Sequence, residues 1–121
     1  MRAGARLAAA MDVIAAMERE HRPASVALAD WGRAHRFAGS GDRAAIGTLV
    51  FDVLRRRKSY AAQMGSDTPR ALVLAAASRA FAMSVEEIAA ATAEGEAHAP
   101  GPLSDDERLG LGRELGGDVA V

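Results

Sequence analysis

The densest run of chemistry-bearing side chains is Arg55-Arg56-Arg57-Lys58. Arginine grips phosphate through a planar fork that gives two parallel charge-assisted hydrogen bonds, so such a run points to a polyanion. Arg2 and Arg6 lie four apart, a spacing that puts both on one side of a helix. Arg33, Arg36 and Arg43 flank a central Gly-Ser-Gly turn. The candidate phosphate-contacting set is therefore Arg2, Arg6, Arg43, Arg55, Arg56, Arg57 and Lys58, with RNA or DNA as the polyanion. Each cation also has an ordinary reading. Arg56 is placed to pair with Asp52 one turn back, and Arg43 suits a structural ion pair with Asp30 or Asp42 better than a ligand contact. Few aromatic residues are available to stack on bases, Trp31, Phe37 and Tyr60 among them, which favours recognition of backbone and shape over sequence.

Other chemistries find no support in the residues. The histidines His21, His35 and His98 do not pair at helical spacing, and Glu94 and His98 are separated by Gly95 beside a Pro-rich loop. A catalytic zinc takes three protein ligands, so no metal site is expected. With no cysteine there is no disulfide, thiolate site or cysteine nucleophile. Gly39-Ser40-Gly41-Asp42-Arg43-Ala44 formally matches a dinucleotide fingerprint, G-x-G-x-x-A. That fingerprint needs a preceding strand, whereas a helix precedes it here, so a turn and helix cap is the better reading. No phosphate-binding P-loop and no G-x-S-x-G nucleophile motif occurs. No catalytic residue and no cofactor site is expected in this chain.

The elements that must carry the arginines follow from composition and periodicity. At 121 residues the chain suits one domain with a real core. It holds 29 Ala and five aromatic residues, which favours closely packed helices over strands. No run of 18 apolar residues exists, and the N-terminus reads as part of the fold and not as a signal peptide, so a cytoplasmic protein is expected. Fourteen arginines against one lysine suggest a GC-rich bacterial source. The net charge of −1 hides a split: +6 over residues 1–80 and −7 over 81–121, which suggests a polyanion-facing side and an acidic tail.

Six helices are predicted. The first spans Ala3 to Glu20, with Leu7, Met11, Ile14 and Met17 as its apolar stripe, and Arg22-Pro23 ends it. The second spans Pro23 to Phe37, with Ala24, Ala27, Leu28, Trp31 and Ala34 on one face. The third spans Asp42 to Lys58, capped by Ser40 or Asp42, with Ile46, Leu49, Val50, Val53 and Leu54 buried. Ser59 to Met64 prolongs it or starts a short helix. The fourth, Pro69 to Ala82, is apolar nearly all round and should be central. Ser84 and Ser104 open capping boxes for a fifth helix to Ala93 and a sixth through Leu115. The Gly/Pro-rich break after Glu94 divides a helical domain, 1–94, from a linker and join, 95–121.

The stretch from Arg22 to Lys58 resembles the N-terminal region of bacterial Sun/RsmB-type rRNA cytosine-C5 methyltransferases, which is similar to the all-α RNA-binding antitermination factor NusB. The resemblance is carried by Asp42-Arg43, Leu49-Val50 and Val53-Leu54-Arg55, and it extends to Glu96–Glu107, similar to the join in an alphaproteobacterial branch. It covers roughly residues 3–107. It implies a NusB-like bundle of five to six helices that docks rRNA for a methyltransferase domain in cis. It also implies that S-adenosylmethionine and the catalytic cysteines belong to that second domain, absent from this sequence. The rival expectation is a protein-protein or interdomain packing module without direct RNA contact. A stand-alone helix-turn-helix protein fits less well, because Ile46, Gly47, Leu49 and Val50 stand where base-reading side chains are needed.

Overall fold

The computed structural model describes residues 1–93 and 95–113. Among them are six helices and no strand: α1 (Ala3–Glu20), α2 (Ala24–Ala34), α3 (Ser40–Met64), α4 (Pro69–Ala80), α5 (Val85–Thr92) and α6 (Asp105–Leu111). The chain is an all-α bundle. The last residues expected in the sixth helix, the end of the acidic tail and Glu94 lie outside the described residues.

α4 is the centre. Thr68 starts it by accepting a hydrogen bond from the Ala71 amide, with Pro69 in the first turn. Every residue from Ala71 to Ala77 is buried. Seven successive buried positions span nearly two helical turns, so no side of this segment meets water. α1, α3, α5 and α6 all pack against it. They contribute Leu7, Val13 and Ile14 from α1, Ile46, Leu49, Val50 and Val53 from α3, Ile88 from α5 and Leu111 from α6. Met11 and Met17, expected in the stripe of α1, sit at the edge of this core, and Leu54 points outward instead of inward.

Small residues set how closely the helices approach. A methyl group added to Gly4 would lie 2.0 Å from the carbonyl oxygen of Ala91 and 3.1 Å from the Cβ of Ala99. α1 and α5 therefore touch through backbone. α1 ends in a left-handed residue, His21, with the amides of His21 and Arg22 both donating to the Met17 carbonyl. The stop is thus a C-terminal cap, with Pro23 following it.

α3 carries a bend at Arg56 (φ −122°, ψ 23°), which resolves the alternative over Ser59–Met64: the helix continues, but in a new direction. Gly65 ends it in the left-handed conformation (φ 67°) that glycine adopts without a Cβ penalty. One hydrogen bond spans the bend. The Tyr60 hydroxyl donates to Asp52, and both residues are buried. Residues eight apart are separated by about 12 Å along a straight helix, so this contact needs the reach of the tyrosine ring together with the bend. Arg56 Nε lies 3.4 Å from the other Asp52 oxygen, so the carboxylate is served on both sides.

The described part of the expected linker and join folds back onto the body. Arg70 donates from Nε and Nη2 to Glu107 (2.7 and 3.0 Å), and to the carbonyls of Pro100, Gly101 and Pro102 at 2.8–3.1 Å. Gln63 Nε2 donates to the Gly110 carbonyl, and Arg113 donates to the Gln63 carbonyl. The Gly/Pro-rich break marks a change of direction inside one packed unit, because a single guanidinium satisfies three loop carbonyls there. The Arg70 guanidinium also holds Glu107 below the usual carboxylate range.

Two outcomes follow from this packing. Gly4→Ala should destabilise the fold by about 2–3 kcal/mol in chemical denaturation, because two backbones must separate. Tyr60 is the single tyrosine, so absorbance at 295 nm reports it alone. Burial first, then the Asp52 hydrogen bond, pushes its hydroxyl well above the ordinary value of 10. A raised folded pKa means that stability is full below about pH 10 and declines as pH rises further. Tyrosinate should therefore appear well above pH 10, together with loss of helical circular dichroism. A titration near 10 with helicity intact would contradict the buried pair.

Candidate nucleic-acid interface

Successive residues on a helix point about 100° apart. The run Arg55–Lys58 consequently spreads around α3, and the bend at Arg56 spreads it further. Arg56 turns back to Asp52. Arg57 pairs with Glu18 near the end of α1, tying the two helices together. Arg55 and Lys58 are exposed and make no ion pair or hydrogen bond among the described residues. Phe51 lies one turn before Arg55 and Leu54 one turn before Lys58, and these two apolar side chains are 48% and 39% exposed. The strip is part cationic and part apolar.

The N-terminal arginines diverge. Arg2 Nη1 bonds Glu96 in the loop after α5 (3.2 Å). Arg6 grips Asp42 at the start of α3 through Nε (2.9 Å) and Nη2 (2.8 Å). Asp42 also accepts from the Gly39 amide (3.1 Å) and faces the terminal ammonium group (3.4 Å). Of the two expected caps, Asp42 is the one used, with Gly39 at the cap position. Arg6 is the main cause that holds the Asp42 carboxyl below its ordinary value; the Gly39 amide adds to it.

Arg43 corrects one expectation. It pairs with neither Asp30 nor Asp42. Its Nε donates to the Ala38 carbonyl and its Nη2 to the Gly32 carbonyl, both at 3.2 Å. These carbonyls lie in and just beyond the last turn of α2, where a helix leaves acceptors unsatisfied and favours positive charge. Asp30 is taken by Arg22 and Arg33.

Two hollows adjoin this region, and Trp31 lies in the wall of both. The first, about 700 Å³, lies between α2 and α3 and is lined by Leu28, Trp31, Arg33, Arg36, Arg43 and Ile46, among others. No acidic side chain among the described residues lines it. Arg36 is exposed and makes no hydrogen bond or ion pair among the described residues. The second, about 540 Å³, lies by the start of α1 and contains His35, Phe37 and His98. The rings of Trp31 and His35 stack at 4.2 Å with an angle of 10°, and Phe37 meets His35 edge-on. Nδ1 of His35 lies 2.8 Å from the Trp31 carbonyl. A carbonyl only accepts, so Nδ1 carries the hydrogen. Phe37, expected to close the second helix, lies beyond it and is 74% exposed.

Of the seven candidates, the structure leaves Arg55 and Lys58 without a partner among the described residues and commits the other five, at least in part, to intramolecular contacts. Sequence reading missed Arg36 and Arg33 as lining one cleft. Their spacing of three at the end of α2 was the available signal; the approach of Arg43 from α3 needed the fold. Among the described residues no three His, Asp or Glu side chains gather as a metal site. No helix among them is long and apolar enough to cross a membrane.

Arg43→Lys should lower stability by about 1–2 kcal/mol in thermal or chemical unfolding, since a single ammonium cannot serve both carbonyls with the geometry of the fork.

Compared with protein-family models, curated proteins and solved structures, the chain gives no significant match to any.

Proposed function

We propose that this bundle is an RNA-docking domain of the NusB-like, Sun/RsmB-type kind. It binds rRNA backbone in the cytoplasm, on behalf of a cytosine-C5 methyltransferase domain that itself holds S-adenosylmethionine and performs the chemistry. The observation that carries this reading is the pair Arg55 and Lys58: exposed cations on one stretch of α3 with no acidic partner among the described residues. Exposed ion pairs contribute only about 0–1 kcal/mol each. Arg2 and Arg57 can therefore exchange their carboxylates for phosphates at little cost, whereas Arg56 faces the buried Asp52. Arg6 and Arg43 are held more firmly and serve the fold first.

The test is a fluorescence-anisotropy titration of an rRNA fragment at several salt concentrations. The double variant R55E/K58E should bind at least tenfold more weakly, and its log–log salt slope should flatten by about 1–2, as expected when two phosphate contacts are lost. Unchanged affinity and slope would refute the assignment of this face to RNA.

A second reading rests on Phe51 and Leu54, exposed beside Arg55. An apolar pair with an adjacent cation suits docking onto another protein surface, such as the methyltransferase domain. On that reading F51S/L54S abolishes association with that domain and leaves RNA affinity unchanged.

A further inference from the structure

We infer that the cleft between α2 and α3 binds a planar ring carrying a phosphate: a nucleoside monophosphate, or the same unit within a single-stranded nucleic acid. This inference does not rest on the RNA-docking reading, because the cleft is built for one such unit whatever its source.

The volume, about 700 Å³, falls within the range of small-molecule sites. Its lining divides into two chemistries. Arg33, Arg36 and Arg43 supply cations, and no carboxylate among the described residues lines the cleft against them. Leu28 and Trp31 supply an apolar wall, with the fully buried Ile46 behind it. An apolar ligand would leave the Arg36 guanidinium and the Nη1 of Arg43 unserved, and a bare phosphate would leave the apolar wall unfilled. A phosphorylated base satisfies both.

The donors are also prepared. Arg43 is fixed by the carbonyls of Ala38 and Gly32, and its remaining nitrogen, Nη1, makes no hydrogen bond among the described residues. Arg36 has its whole fork available there. Arg33 shares Asp30 with Arg22, so that carboxylate is already divided between two cations. The Trp31 ring is held by its stack on His35, and the His35 Nδ1–H is anchored on the Trp31 carbonyl. A ring held in place loses little freedom when another ring stacks or packs beside it. Acidic groups near the cleft are Asp30, paired as described, and Asp42, which faces Arg6 and the terminal ammonium instead.

Trp31 is the single tryptophan, so its fluorescence reports on the cleft directly. The full chain is titrated with adenosine 5′-monophosphate, adenosine, inorganic phosphate and a five-residue oligoadenylate, with calorimetry as an independent readout. Adenosine 5′-monophosphate should quench the indole saturably and bind at least tenfold more tightly than adenosine or phosphate. Arg36→Gln, at an exposed position, should weaken that binding at least tenfold without loss of helicity, whereas R55E/K58E should leave it unchanged. Displacement of the mononucleotide by the oligoadenylate identifies a nucleic-acid unit as the ligand. Binding of the mononucleotide alone identifies a free nucleotide. Absence of saturable quenching and of heat with both ligands, phosphate binding as tightly as the nucleotide, or indifference to Arg36→Gln would each overturn the assignment.

Discussion

α4 has no polar face to offer water between Ala71 and Ala77, and the remaining helices are arranged to meet that demand. Burying such a segment requires cover from every direction, and the cover must be close because much of it is alanine. α1 and α3 supply most of it, while α5 and α6 close the remaining sides. A straight 25-residue helix would run past a 12-residue one, and α3 instead bends at Arg56. The bend has its own support in the Tyr60–Asp52–Arg56 contacts, so the buried polar atoms on its inner side are satisfied. An unpaired carboxylate there would be costly in an interior of low polarity.

Peripheral contacts are organised around a few charged groups that serve several partners each. Asp42 joins α1, the chain terminus and the start of α3. Arg70 joins α4 to the loop at Pro100–Pro102 and to α6. Arg43 completes the end of α2 from α3. The fold thus uses as mortar some of the arginines that look, in one dimension, like a phosphate-binding set. In that set and around the cleft, the cations left without an acidic partner among the described residues are fewer: Arg55 and Lys58 on α3, and Arg36 and Arg43 at the cleft. Arg43 and Arg55 are about 18 Å apart along α3, so the two regions are distinct.

Helix positions and their start signals were largely legible. The capping boxes at Ser84 and Ser104 form as their spacing predicts, each serine accepting from the glutamate three residues on and each glutamate accepting in return. The central place of α4 was legible as well, because an all-round apolar helix has no other stable location. The bend of α3 was not, since no glycine or proline stands near Arg56; the Asp52–Tyr60 hydrogen bond that spans it joins residues eight positions apart. The contacts of residues 95–113 were not legible in the sequence, where Gly and Pro read as a linker and join. Arg70, which binds that loop, lies about 30 positions upstream.

By itself the sequence determined the all-helical class, the register of the helices and the excess of cations in residues 1–80, because these depend on residue type and on spacings of three and four. Only the tertiary structure decided which cations remain available. For Arg43 with Gly32, Arg57 with Glu18 and Arg2 with Glu96, that outcome depends on carbonyls and carboxylates brought from 11 to 94 residues away. Local spacing cannot encode such partners, since their proximity exists only after α4 has been enclosed.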